Sequence, residues 1–413
     1  MKAVRVSLLR ATLTLMAGGA LAQALPLLLG PLLTRLYSPQ QFGVYHLFAA
    51  VAANAAVVAC ARYEHALPLA RDDDEARALF ALCRWILLFV VACCAIAAVV
   101  WAALSGALWP LWLPAAVGAL GLLSLATLAA MRARRFAALS ASRVLQHGGG
   151  AALQAAAGAA GAGLTGLIAA PIAATVVATA WLRPGLARHW NVRRQALRSV
   201  AGRHRDFPLL NTPHAFMGAL QDTLAVALIA AWQGPAAAGF WGLALRYLKA
   251  PATLVGGAVS QALYPLLADA GTASEQGRNA VRRVMRTLAL AALPLVLLLW
   301  LFAPAAFALA FGEAWREAGE LASALALYVG VHFVASPLAV VTMAWGAQAW
   351  ALKLALVGQA LFVSALAAGL ALGGLHVAGW AVSASMGAYF GWYFWKLATW
   401  PVSMPAQPLP SAP

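Results

Sequence analysis

The chain has 413 residues, 63% of them hydrophobic and 10% charged, against about a quarter charged in a soluble domain. With a mean hydropathy of +0.81, that composition excludes a water-soluble globule. A formal charge of +16 would suit nucleic acid, but the cations sit between apolar stretches too long for soluble core helices, so the basic excess reads as a topology signal and no nucleic-acid partner is expected.

A bilayer-spanning helix needs about 20 mostly apolar residues, because roughly 30 Å of hydrocarbon is crossed at about 1.5 Å per residue. Twelve windows qualify: residues 11–33, 42–61, 85–104, 109–131, 144–162, 164–182, 215–232, 239–268, 288–311, 321–345, 354–372 and 377–398. No alternating strand pattern competes, and in lipid a helix satisfies its own backbone N–H and C=O groups. The expectation is an all-α integral membrane protein of 12 transmembrane helices.

The first window mimics a secretory signal, with Lys2, Arg5 and Arg10 ahead of an apolar run that contains Ala20-Leu21-Ala22. The run continues through Leu33, and losing it would leave eleven helices and disturb the charge alternation, so it is read as a retained helix. Pro26 and Pro31 here, with Pro171, Pro251, Pro265 and Pro337 further on, suit helices that bend around a cavity and suit ordinary membrane helices equally.

Before window two stands Pro39-Gln-Gln-Phe-Gly43-Val-Tyr45, and before window eight Pro235-Ala-Ala-Ala-Gly239-Phe-Trp241, 196 residues later. Both read Pro-x-x-x-Gly-apolar-aromatic, and each precedes the second helix of its half. This predicts two six-helix bundles, residues 1–182 and 207–400, related by a pseudo-two-fold axis along the membrane normal. The polar interval 183–206 is the cytoplasmic linker between them, and 401–413 is a tail.

Cys60, Cys83, Cys93 and Cys94 lie in or beside windows two and three. They are expected as small apolar core residues, not as a disulfide frame or a metal site. Arg62-Tyr63-Glu64 at the inner end of window two, with Arg84 before window three, admits two readings: an interfacial anchor, or a cytoplasmic gate that first meets a phosphate headgroup. Asp72-Asp73-Asp74-Glu75 resembles the magnesium-binding runs of prenyl- and phosphosugar-transferases. A diphosphate site needs a second cluster, and the other cytoplasmic segments supply only Asp206, Asp269 and Glu275. The run is therefore expected as a solvated loop capping the helix that Ala76 begins.

Gly148-Gly149-Gly150, with Gly158, Gly161 and Gly163, gives window five a small-residue packing surface. It is no phosphate loop, since neither a strand nor a Lys-Ser/Thr pair accompanies it. His46, His147, His214, His332 and His376 show no ligand spacing, so neither metal nor other cofactor is expected.

Ionisable groups at membrane depth are the most informative, because a charge at helix centre costs about 2.5–3.5 kcal/mol on insertion scales. Arg246 and Lys249 lie inside window eight, three residues apart and so on one helix face. Asp222 lies near the middle of window seven. On one reading the two cations face a wet cavity and attract an anionic ligand, guanidinium and ammonium both matching phosphate oxygens. On the other, Asp222 neutralises one cation and the second snorkels outward. Two cations against one acid favour the cavity. Asp222 stands as a charge partner or as the carrier of a coupling proton or sodium ion.

Of the 28 Lys and Arg, 24 fall in segments on one side of the membrane, and only Arg35 and Arg316 on the other. The positive-inside rule then places both termini in the cytoplasm.

The blocks Leu32-Leu-Thr-Arg-Leu-Tyr-Ser-Pro-Gln-Gln-Phe-Gly-Val-Tyr45 and Ala61-Arg-Tyr-Glu-His-Ala-Leu-Pro-Leu69 resemble the opening of the Wzx-type polysaccharide flippases, a branch of the MATE-like flippase superfamily. Asp206-Phe-Pro-Leu-Leu-Asn-Thr-Pro213, Gly239-Phe-Trp-Gly-Leu-Ala-Leu-Arg-Tyr-Leu-Lys-Ala-Pro251, Ser260-Gln-Ala-Leu-Tyr264 and Phe311-Gly-Glu-Ala-Trp-Arg-Glu-Ala-Gly319 are similar to the second half in order and spacing. The resemblance covers nearly the whole chain. It implies two bundles about a basic cavity that carries undecaprenyl-diphosphate-linked oligosaccharide from the cytoplasmic to the periplasmic leaflet of a bacterial inner membrane. It also implies a polysaccharide polymerase and a chain-length regulator as partners. Within the family, the Arg of the Gly-Phe-x-x-Leu-Ala-Leu-Arg block falls on Arg246, and the Arg-Tyr-Glu block on Arg62 and Glu64. Asp222 departs from the pattern, because relatives often carry an uncharged residue there.

Two rival classes fit less well. A membrane glycosyltransferase or polymerase commonly needs a sizeable outer loop, whereas the largest here is 312–320. A drug or cation exporter of the same fold should show acidic cavity residues in excess of basic ones, the reverse of windows seven and eight. No catalytic residue is expected.

Overall fold

The computed structural model describes residues 2–182, 192–271 and 274–401, with side chains from residue 17 onward. Part of the expected linker, with Arg183 and Arg188, and tail residues 402–413 lie outside the described residues.

Among the described residues every regular element is helical. The chain divides into two compact units, Met1–Gly239 and Phe240–Pro413. The helices begin with α1 (Lys2–Leu36), α2 (Pro39–Val58), α3 (Asp73–Ser105), α4 (Leu113–Arg132), α5 (Phe136–Val144), α6 (Gly150–Ala159), α7 (Gly163–Leu182), α8 (Arg194–Arg203) and α9 (Thr212–Leu248). They continue with α10 (Ala250–Ala270), α11 (Glu275–Phe311), α12 (Arg316–Ala324), α13 (Ala326–Ala344) and α14 (Gln348–Ala398).

Nine helical stretches among the described residues are long and apolar enough to cross a membrane, where the hydropathy windows number twelve. Two of the nine stretches hold two windows each, on either side of a glycine break. α9 spans window seven and the first part of window eight, residues 239–248, with non-helical backbone at Gly234 (φ 86°, ψ 171°), and α10 holds the rest. α14 holds windows eleven and twelve around Gly373 and Gly374, the latter at φ 80°. Window five falls on α5, a π-helical turn at Leu145–Gly149, and α6. A wider turn interrupts the regular ladder there, as π-bulges do inside longer helices.

Two helices run well beyond their apolar windows. α3 starts at Asp73 and α11 at Glu275, on side-chain caps: Asp72 Oδ1 accepts from Glu75 N at 2.7 Å and Ser274 Oγ from Gly277 N at 3.0 Å. Those first turns are polar, so hydropathy misses them while capping chemistry starts them.

In the first unit α4 packs on α2, α3 and α7, and α1 runs along α5 and α6. Leu67, Leu79, Cys83, Leu87, Val117 and Leu125 belong to one buried cluster. In the second unit α13 is the central helix, packed on α10, α11 and α14, with Leu263, Leu338, Val341 and Leu397 in its core. The outward faces are apolar as well. Phe89, Ile96 and Leu104 of α3 are 70%, 69% and 84% exposed, and Leu290, Leu298 and Phe302 of α11 are similarly bare. Helices with such stripes need hydrocarbon around them.

The two copies of the Pro-x-x-x-Gly motif touch within the first unit. A Cβ added to Gly43 would collide with the Pro235 carbonyl oxygen, and one added to Gly239 with the Pro39 carbonyl oxygen. The exchange is reciprocal, and it explains why both positions lack a side chain.

Candidate functional site

The turn between α2 and α3 gathers several polar and charged side chains of the first unit. After Val58 the chain passes through Ala61 and Arg62, both left-handed (φ 48° and 61°), into a 3-10 segment, Tyr63–Leu69. The reversal separates residues that the Arg-Tyr-Glu motif places side by side. Arg62 Nε donates to Asn211 Oδ1 at 3.2 Å, while the Tyr63 hydroxyl donates to the Ala201 carbonyl at 3.1 Å. Glu64 turns inward and is buried, at 3% exposure. Burial pushes the Glu64 carboxyl above the ordinary value for the residue, partly offset by backbone hydrogen bonding and by the Arg62 charge. His65 is held below its usual value by burial first and by Arg62 second. Its Nε2 lies 3.7 Å from Glu64 Oε1. Arg84, further along α3, is half-buried. Of the three residues expected at the cytoplasmic entry, Glu64 is therefore a core residue, withdrawn from the surface.

The acidic run is a capping and clamping device. Asp72 caps α3, whose first residue is Asp73, ahead of the start expected at Ala76. Asp73 pairs with Arg132 at 3.0 Å, and Asp74 with Arg77. Arg132 also donates to the carbonyls of Ala70 at 2.6 Å and Asp72 at 3.0 Å. Glu75 departs from the expected solvated loop. Its side chain is 5% exposed and accepts from the Arg71 amide at 2.8 Å and Arg203 Nη1 at 2.8 Å, with His204 Nε2 at 3.0 Å. Arg203 ends α8, an element the hydropathy windows do not cover, and that distant partner takes Glu75 out of water.

A cavity of about 490 Å³ opens beside this turn. Its polar lining includes Gln23, His65, Ser124, Thr127, Arg143 and His147. Among the described residues no carboxylate lines it. Cys60 and Cys83 stand in the buried core as expected, and with Glu64 they bring one ligand atom each to within 4.8 Å of one another. Cys60 and Cys83 are buried, whereas Cys93 is exposed. Spacing in sequence could not reveal this group, because Cys83 arrives from another helix.

Asp222 lies exposed on α9. Beside it, Thr223 donates to the Ala50 carbonyl at 3.2 Å, and Asn54 Nδ2 donates to the Thr223 hydroxyl at 3.3 Å. These polar contacts between α2 and α9 have no signature in a single sequence.

In the second unit, Arg246 occupies the last turn of α9, and Lys249 stands at the junction with α10. The Lys249 amide still donates to the Leu245 carbonyl at 3.0 Å, so the helical register continues and the two cations keep one face. Pro251 has no N–H to offer the Tyr247 carbonyl, which accounts for the break at this point. Both cations are partly exposed. The Tyr247 ring between them packs on Phe311, centroids 4.7 Å apart.

The comparisons with known proteins bear on the whole chain. Residues 32–320 match the family model described as "Polysaccharide biosynthesis protein". Among solved structures, the chain is similar to the lipid II flippase MurJ in an inward closed conformation, with a TM-score of 0.71 at 9% identity over 93% of this chain and 89% of that one. It is also similar to an inward-facing multidrug resistance MATE transporter of the MOP superfamily, TM-score 0.64 at 13% identity over 93% of each chain. A third is a mutant of the Vibrio cholerae MATE transporter VcmN, TM-score 0.56 at 16% identity over 96% of each chain. At these identities the likeness is one of fold. No curated protein matches the chain.

Proposed function

The chain belongs to the polysaccharide biosynthesis protein family that its residues 32–320 match, and from that premise we propose that it flips a lipid-linked oligosaccharide across the bacterial inner membrane. The chain is a multi-pass membrane protein whose fold is shared by MATE transporters and a lipid flippase. On this reading the cargo is undecaprenyl-diphosphate-linked oligosaccharide, moved from the cytoplasmic to the periplasmic leaflet by alternating access between two six-helix halves. Both termini face the cytoplasm, and the polymerase and chain-length regulator of the same pathway act on the product.

The observation that carries the reading is the pair Arg246 and Lys249. Two cations share one face of a helix that runs through an apolar window, at the point where Pro251 breaks it. A diphosphate offers such a face charge-assisted hydrogen bonds, while glycan hydroxyls need water or polar groups during passage. The protein then has only to lower the barrier to moving charge through hydrocarbon. No bond in the cargo is made or broken.

Arg246→Ala/Lys249→Ala in reconstituted vesicles should reduce translocation of a fluorescent lipid diphosphate glycan by roughly ten- to hundred-fold, the worth of one or two charged hydrogen bonds. Unchanged flipping with unchanged insertion rejects the role. The similarity in fold to MATE transporters favours a second reading, a drug or cation exporter. Dye efflux by the same vesicles, with no movement of the lipid, would select it.

A further inference from the structure

Glu64 Oε2 is buried without a hydrogen-bond partner among the described residues. A buried carboxylate oxygen in that state calls for a ligand. Its neighbours are two thiols, Cys60 and Cys83, at 1% and 0% exposure. The three ligand atoms lie within 4.8 Å of one another. Around a tetrahedral zinc, with Zn–S near 2.3 Å and Zn–O near 2.1 Å, such atoms stand about 3.5–3.8 Å apart, a closure that side-chain rotation supplies.

We propose that Cys60, Glu64 and Cys83 form a binding site for a thiophilic divalent cation, zinc by preference, with two thiolates and one carboxylate oxygen in three tetrahedral positions and water from the cavity in the fourth. The donor set selects the ion. Thiolate sulfur favours zinc and its heavier congeners, whereas magnesium and calcium require oxygen ligands throughout. Charge balances as well: two thiolates, one carboxylate and a dication sum to one negative charge, and the Arg62 guanidinium acts on Glu64 from beside it. Binding releases both thiol protons, together with the carboxyl proton where Glu64 carries one. The cavity provides the route, since His65 and Ser124 line it and both adjoin the Glu64 carboxylate. Once bound, the ion ties the strained turn after α2 to α3.

The test uses the full-length protein in detergent, stripped with chelator, equilibrated with zinc and freed of unbound metal. Elemental mass spectrometry should find about one zinc per chain in the wild type and in Cys93→Ser/Cys94→Ser. Affinity should fall by about tenfold or more in Cys60→Ser, Cys83→Ser and Glu64→Gln, compared on monodisperse fractions. X-ray absorption at the zinc edge of the wild type is independent of any variant and should show sulfur neighbours near 2.3 Å. A zinc shell free of sulfur overturns the proposal. Undiminished binding in Cys60→Ser/Cys83→Ser, or a Cys60–Cys83 disulfide in freshly isolated protein, does the same.

Discussion

Glu75 shows how one side chain can hold the polar start of a helix to a distant segment. Its carboxylate meets a backbone amide, an arginine and a histidine, the last two 128 and 129 residues away. Replacing it with alanine removes an acceptor shared by three donors. Because Arg203 is 43% exposed and part of its interaction is screened, Glu75→Ala should cost about 1–3 kcal/mol. The neighbour Asp74 is 86% exposed, and Asp74→Ala should stay within about 0.5 kcal/mol. Thermal unfolding of the two variants in detergent separates these outcomes, and equal effects would mean that Glu75 holds nothing. The residue types in the acidic run were legible as helix-capping chemistry. Which carboxylate would be buried was not, because its partners come from α8.

At the level of elements, glycine and proline decide where helices bend and how close they come. Gly43 and Gly239 admit the approach of α2 and α9 only because neither carries a Cβ. Gly43→Ala or Gly239→Ala should therefore overpack the contact and destabilise by about 1–3 kcal/mol or more. Gly257 in α10 faces open space, and Gly257→Ala should be neutral or stabilise by about 0.5–1 kcal/mol through helix propensity. Melting temperatures in one detergent decide the matter, and Gly43→Ala melting with the wild type would contradict the packing. The paired motif was visible as a spacing, but its two copies lying against each other was not. The breaks at Gly234, Gly374 and Pro251 follow from residues plain in the sequence, whereas the starts of α3 and α11 needed their caps to be read.

For the whole molecule, orientation is a charge property. The 24 cations assigned to one side predict that a fluorescent protein fused after Trp400 will glow in the cytoplasm. Alkaline phosphatase inserted after Gly312 should be active outside. The reverse pattern would invert the proposed direction of transport. Composition and periodicity alone determined that this is a helical membrane protein, and the ordered motifs pointed to its family, because helix formation in lipid is a local, backbone-satisfying process that each window decides for itself. The tertiary structure alone decided that Glu64 and Glu75 are buried, that Cys60 meets Cys83 and that Gly43 meets Gly239. Those outcomes rest on contacts between segments far apart in the chain, and hydropathy, which sums over neighbours in sequence, carries no information about neighbours in space.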